Sequence, residues 1–235
     1  MKMLLVFAHP DDETFYCSGT IIRLVRLGAK AQLIMATKGE AGSLGNPPLA
    51  TKQALGKIRE RELKKAAKIA GISKIYFLGF KDGTLQKVPL NKLSSKILSI
   101  ITKEKPDLVF TFEKNGITLH PDHIAISKAT TESFKRYMKT TKRHVRLYHA
   151  CLPQSHWAKY LAAGYKYDFF GKMTGTPDHE ITTFVNITDV YARKVKAVNC
   201  HETQKEDCRN HLKNQNLILG PKYEHFKLIA ESNII

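Results

Sequence analysis

The chain has 235 residues, 43% hydrophobic and 25% charged, which is ordinary for a globular protein that needs no disulfide staples, and it shows no repeat or low-complexity tract. Thirty-eight Lys and Arg against 21 Asp and Glu leave a net charge of +17, which favours anionic surroundings without naming a partner. No apolar run approaches the roughly 20 residues of a membrane span, and Met1-Lys2-Met3 is too short a lead for a secretory signal, so a soluble cytoplasmic protein without membrane contact is expected.

Residues 3–8 form a short aliphatic run, the pattern of a strand buried on both faces. Pro10 ends it, because proline has no N–H for the ladder. His9-Pro10-Asp11-Asp12-Glu13 therefore emerges at the carboxyl end of the first strand. Residues 18–27 read as a helix closed by Gly28, and 31–36 as a second strand. Residues 37–50 are a loop of Gly and Pro turn pairs, long enough to carry function. Residues 51–70 read as a helix with Leu55, Ile58, Leu63, Ala66, Ala67 and Ala70 on its apolar face and Gly71 at its end. A third strand follows at 74–78, a helix at 90–103, and a fourth strand at 107–111 after Pro106.

The loop 112–119 leads into His120-Pro121-Asp122-His123 and a helix over about 122–137; residues 145–150 read as a fifth strand. Between 151 and 178 aromatics, glycines and lysines mix without period, which predicts an irregular cap or lid. Residues 181–187 alternate like a strand, 191–201 are helical, a second polar helix runs to 214, and 226–230 form a last strand. The alternation predicts one α/β domain over 1–235: a Rossmann-like, mostly parallel sheet with helices on both faces. Four cysteines, at 17, 151, 200 and 208, form no C-x-x-C pair, so reduced and mostly buried thiols are expected.

Both histidine clusters share one address, since each follows a strand and opens into a helix. In a doubly wound sheet such loops converge at the carboxyl edge. His9, Asp11 and Asp12 can then meet His120, Asp122 and His123, and two His with one Asp suffice to hold zinc with an open position. As helix caps or first-turn acids, Asp11, Asp12 and Asp122 would explain one acid per helix but not a His-Pro-Asp cluster at both. A 2-His-1-carboxylate iron(II) centre is a rival reading, but it is usually carried by an all-β double-sheet barrel.

These residues resemble the zinc-dependent N-acetylglucosaminyl deacetylases related to PIG-L, LmbE and MshB. The resemblance rests on Ala8 through Glu13 and His120 through His123. It is supported by Arg59-x-x-Glu62, by Leu78-Gly79-Phe80-Lys81-Asp82-Gly83, and by Lys196 through Gln204 with His201. It implies His9, Asp12 and His123 as ligands of Zn²⁺, with another divalent metal such as Fe²⁺ also suited to them. It implies Asp11 as general base, and His120, oriented by Asp122, as the group that stabilises or protonates the tetrahedral species. Arg59 is expected to contact substrate, against an i,i+3 ion pair with Glu62 on a solvated face. His201 is divided between a site-edge role and helix packing. The implied substrate is a small N-acetylated amino sugar, and the segment 151–178, which matches poorly, is the part that shapes substrate choice in that family. A homo-oligomer is compatible with the sequence.

A second reading from another class is a basic binding protein. Lys135, Arg136, Lys139, Lys142, Arg143 and Arg146 form a cluster without an intervening acid, suited to nucleic acid or an anionic glycan. No finger, helix-turn-helix or aromatic RNA-binding motif accompanies it, so a nucleic-acid partner is not expected.

Overall fold

A computed structural model describes residues 1–166 and 170–232. Residues 167–169, part of the expected cap, lie outside the described residues. Seven strands form one sheet in the order β3-β2-β1-β4-β5-β7-β6. Strands β1 (Lys2–Phe7), β2 (Lys30–Met35), β3 (Ile72–Phe77), β4 (Leu108–Phe112) and β5 (Arg146–Cys151) are parallel. Two antiparallel strands, β7 (Tyr223–Glu231) and β6 (Thr183–Asn186), close one edge. The mostly parallel α/β sheet is as expected, and it is not the barrel that the iron(II) reading needs.

Strand β1 lies inside the sheet, between β2 and β4, and all its residues after Lys2 are buried, which is why its sequence is a continuous apolar run rather than an alternating one. From β1 the chain winds outward through β2 to β3, then crosses back to pair β4 with the free side of β1. The order therefore reverses between β1 and β4. The loops leaving those two strands splay apart there and open a crevice at their carboxyl ends. Both histidine clusters sit on those loops.

Helices α1 (Asp12–Tyr16), α2 (Ser18–Arg26), α3 (Leu55–Ala70), α4 (Leu90–Glu104), α5 (Pro121–Met138), α6 (Gln154–Ala162), α7 (Tyr191–Val198) and α8 (Lys205–Asn216) connect the strands. Three differ from expectation. The short α1 has no sequence signal of its own, since five residues carry too little periodicity. Helix α3 begins at Leu55 rather than Thr51, because Thr51 starts a turn whose carbonyl accepts from Ala54 and Leu55. The segment 151–178 is not irregular throughout. It holds α6, whose two buried residues, Trp157 and Tyr160, mark one face only. Among the described residues no helix is long and apolar enough to cross a membrane. All four cysteines are free, and three of them are buried.

A buried ion pair ties the far end of the chain to the first ligand loop. Lys194 on α7 and Glu224 on β7 meet at 2.7 Å, with side chains 0% and 2% exposed. Glu224 also accepts from the amides of Gly19 and Thr20 at 2.9 and 2.7 Å. Those are among the first amides of α2, whose own cap residue, Cys17, supplies no side-chain bond. Lys194 Nζ donates to the Phe15 carbonyl at 2.7 Å. Glu224→Ala would leave a buried ammonium without its counter-ion and two helix amides without acceptors. It is expected to cost about 3–5 kcal/mol in urea unfolding, the range for breaking a buried pair; a loss below about 1 kcal/mol, as for an exposed pair, would contradict this account.

Candidate metal centre and active-site cleft

At the tip of β1 the backbone turns sharply. Asp11 sits at φ 118°, a region that a residue with a Cβ enters only under constraint. Four contacts supply that constraint. Arg59 Nη2 donates to the Pro10 carbonyl at 2.6 Å and to Asp11 Oδ2 at 2.9 Å. The Asp11 amide donates to Glu13 Oε2 at 3.2 Å, and Thr14 Oγ1 donates to the Asp11 carbonyl at 2.7 Å. The turn points His9, Asp11 and Asp12 into the crevice. At the tip of β4, Gly116, Ile117 and Leu119 all take positive φ before α5 begins. His120 is the N-cap of α5, with Nδ1 accepting the Asp122 amide at 3.1 Å, and Pro121 occupies the first helical position.

The two loops bring three donors to one point. His9 Nδ1 lies 3.1 Å from His123 Nε2 and 3.6 Å from Asp12 Oδ2, and His123 Nε2 lies 3.3 Å from Asp12 Oδ1. Two ligands on a tetrahedral ion with bonds of about 2.0–2.1 Å stand about 3.3 Å apart, so these separations fit a shared divalent cation. A ring nitrogen of His120 belongs to the same cluster, within 4.8 Å of the other histidine donors.

The outward nitrogens are also occupied. His9 Nε2 lies 2.9 Å from Asp82 Oδ1 and 3.3 Å from Asp122 Oδ2. His123 Nδ1 lies 3.0 Å from the Gly116 carbonyl, and its ring stacks on Phe112 at 4.1 Å. Metal-ligating histidines characteristically donate their second N–H to a carboxylate or carbonyl, which fixes tautomer and orientation.

The electrostatics ask for a cation. Burial pushes both Asp11 and Asp12 upward, against the pull of Arg59 on Asp11 and of His9 on both. Burial opposes a charge on His9, yet hydrogen bonds to Asp122 and Asp82 and the charge of Asp12 raise it to about 10. Burial and the charge on His9 pull His120 down to about 4, so that ring is neutral at pH 7. With Nδ1 accepting from Asp122, its proton resides on Nε2.

One expected role changes. Asp122 does not orient His120 through its carboxylate, which instead accepts from Gly83 and Leu85, each at 2.8 Å, and faces His9; the Asp122 amide does the orienting. For Arg59, the alternative to substrate contact, a pair with Glu62 on a solvated face, does not form. Arg59 is buried, donating to Asp11, Pro10 and, at 2.8 Å, the Gly39 carbonyl. Glu62 turns the other way and accepts from Thr203 N and Oγ1 at 2.8 and 2.7 Å.

The late motif is scaffolding for the same corner. Gln204 grips Ser43 through both its backbone groups, at 3.2 and 2.8 Å, and so anchors the loop after β2. His201 is wholly buried behind Asp11, with Nε2 3.6 Å from Glu13 Oε1. Asp82 had no role assigned from sequence, though its Asp-Gly motif was visible; nothing local marks it as a partner of His9. The basic cluster lies away from the site. Helix α5 starts at the centre, and Lys135, where the cluster begins, lies 14 residues along it, about 21 Å away. There Arg143 pairs with Asp107, and Arg146 with Glu231.

The donors line a cleft of about 400 Å³, whose outer walls come from α6, α8 and the start of β7.

Residues 4–134 match the family described as PIG-L: GlcNAc-PI de-N-acetylase. A probable N-acetyl-alpha-D-glucosaminyl L-malate deacetylase 2 of Bacillus cereus is 30% identical over 206 residues, covering 87% of this chain and 84% of that protein. A protein of the same description from Bacillus anthracis is 38% identical over 132 residues, 56% of this chain and 58% of its own length. The 1D-myo-inositol 2-acetamido-2-deoxy-alpha-D-glucopyranoside deacetylase of Acidothermus cellulolyticus is 29% identical over 234 residues, 86% of this chain and 79% of that one.

Among solved structures, N,N'-diacetylchitobiose deacetylase from Pyrococcus horikoshii superposes with a TM-score of 0.67 at 23% identity, covering 97% of this chain and 83% of that chain. A 4-carboxy-2-hydroxymuconate hydratase from Pseudomonas putida reaches 0.71 at 16% identity, covering 98% and 97%. Identities this low show the fold alone, and the fold carries both hydrolysis and hydration. The reaction has to be argued from the site.

Metal-free protein titrated with Zn²⁺ in a calorimeter is expected to bind one ion. Asp82→Asn should weaken that binding about 10–100-fold through His9, the usual scale for an outer partner, and His123→Ala should weaken it further. Unchanged affinity in His123→Ala would remove the centre from this position.

Proposed function

The chain belongs to the GlcNAc-PI de-N-acetylase family, and from that premise we propose that it hydrolyses the acetamide of a small N-acetylated amino sugar, giving acetate and a free amine, with a divalent metal, Zn²⁺ as the first choice. The observation that carries this reading is the convergence of His9 Nδ1, His123 Nε2 and the Asp12 carboxylate within 3.1–3.6 Å, beside an Asp11 whose carboxylate is held by Arg59.

A zinc ion held there would acidify a water and polarise the acetyl carbonyl. Asp11, next in sequence to Asp12 and fixed by Arg59, is placed to take the proton from the attacking water. His120 carries its proton on Nε2 and can donate it as a hydrogen bond to the developing oxyanion. The proton that Asp11 took from the water passes to the departing nitrogen as the C–N bond breaks, Asp11 becomes a carboxylate again, and the acid product leaves as acetate with its remaining proton going to solvent. Asp122 acts indirectly, holding His9 and the loop at Gly83 and Leu85. In this reading Arg59 serves the substrate through Asp11, since its guanidinium is already engaged at three acceptors.

The test is acetate release from N-acetylglucosamine conjugates by zinc-loaded protein, with chelator as control. Asp11→Asn should retain zinc by elemental analysis yet lose about 10²–10⁴ in kcat, the usual worth of a positioned base. An unchanged rate would exclude Asp11 as the base.

Gly39→Ala tests the positioning of that base. A Cβ there would stand 2.3 Å from Arg59 Nη1, at a residue with φ 66°. Turnover should fall while zinc content stays. Full activity in this variant would show that Arg59 does not set the position of Asp11.

A further inference from the structure

Helix α8 borders two concave surfaces, and the catalytic cleft is only one of them. Asp207, His211 and Asn214 line that cleft. Lys205, Arg209, Leu212, Lys213 and Asn216 line a second groove on the opposite face, about half a turn away on a helix of 3.6 residues per turn. Leu217 and Asn199, the residue after α7, complete this groove, whose volume is about 550 Å³. That is the size of a small-molecule site. All of it lies beyond the 4–134 stretch that matches the family, and the deacetylation mechanism does not use it.

The charge on this groove is one-sided. Lys205, Arg209 and Lys213 stand at four-residue spacing, about one turn apart, and together span about 12 Å. All three are exposed, and among the described residues none makes an ion pair or a side-chain hydrogen bond. Among the described residues no acid lines the groove, and Glu206, three residues before Arg209, does not pair with it. Cations elsewhere on the surface are answered: Arg143 by Asp107, Arg146 by Glu231 and Lys64 by Glu60.

As a piece of helix this stripe is unfavourable. Like charges four residues apart repel along a helix. Lys205, the first residue of α8, also sits at the positive end of the helix dipole, where anions are favoured and cations are not. Helix energetics therefore gives no reason to place three unanswered cations on one face, whereas an anion bridging them would turn each repulsion into an attraction. The floor of the groove is different. Leu212 and Leu217 are half-buried there and offer apolar surface, and Asn199 and Asn216 add amides. A bare inorganic anion would use the cations alone. A solute with clustered negative charge and an organic part would use the leucines as well.

We propose that the outer groove of α8 is a binding site for a small organic polyphosphate, with two or more phosphates along Lys205, Arg209 and Lys213 and the organic part against Leu212 and Leu217. Phosphoryl groups deliver two or three negative charges within a few atoms, and the Arg209 guanidinium matches their oxygens in pairs. The site is separate from the metal centre, and its existence does not depend on the reaction catalysed there.

The experiment titrates ADP, pyrophosphate and AMP in turn into zinc-loaded protein in a calorimeter. One ADP should bind per chain, about tenfold or more tighter than AMP, which has one phosphate fewer, and tighter than pyrophosphate, which lacks the organic part. The triple variant Lys205→Gln, Arg209→Gln, Lys213→Gln should weaken ADP about 10–100-fold, the worth of two or three exposed charge contacts. A control triple, Lys135→Gln, Arg136→Gln, Lys139→Gln, removes the same charge elsewhere and should leave ADP binding unchanged. All six of these cations are exposed, so neither triple disturbs the core. Leu212→Ser should bring ADP toward the affinity of pyrophosphate. Equal losses in both triples would reduce the effect to the general field of the +17 charge. ADP binding that vanishes when zinc is removed would place the ligand at the metal centre. Retention on phosphatidylglycerol vesicles that the groove triple loses, without ADP binding, would make the occupant a membrane surface. Any of these results, or no heat from ADP, would overturn the proposal.

Discussion

Buried negative charge at the sheet's switch point is the constraint that the rest of the structure answers. Asp11, Asp12, Glu13, Asp82 and Asp122 are each no more than 8% exposed, and they crowd around two strand tips. Burying even one unpaired carboxylate is expensive. Arg59 compensates Asp11, and the amides of Gly83 and Leu85 compensate Asp122. What remains converges on His9 and His123, where a divalent ion would neutralise the excess. Such an arrangement is a poor way to build a core and a good way to hold a metal.

The parts of this site that the sequence made legible are those encoded locally. A continuous apolar strand, a proline and a His-Asp cluster can be read from ten residues, and the same pattern recurs at His120. The sheet followed from strand–helix alternation, because period and punctuation are local. The partners that position those residues were not legible. The contacts of Asp82 with His9, of Glu62 with Thr203 and of Glu224 with Lys194 span 73, 141 and 30 residues. No local pattern distinguishes such an acid from one on a solvated helix. Arg59 shows the difficulty best: the sequence offered substrate contact, with a surface pair to Glu62 as the alternative, and gave no sign that the fold turns Arg59 to Asp11 and Glu62 to Thr203. Helix α6 was hidden for another reason: nine residues with two buried aromatics carry too little period to declare a helix.

The division of labour follows the topology. The parallel strands β1 and β4 carry both histidine clusters at their tips, and the family match covers that region. The outer walls of the cleft come from α6, α8 and the antiparallel edge, which lie beyond that match. The hydratase that shares the fold at a TM-score of 0.71 shows how little the backbone alone decides.

The link from Glu224 to the start of α2 has a consequence for how the fold opens. The carboxylate that caps the helix behind the loop of His9, Asp11 and Asp12 comes from a strand 205 residues away. When β7 is undocked, Lys194 loses its counter-ion and the amides of Gly19 and Thr20 lose their acceptors, so the acidic loop loses its rigid backing. Fraying of the antiparallel edge would therefore loosen the mouth of the cleft before the parallel strands part.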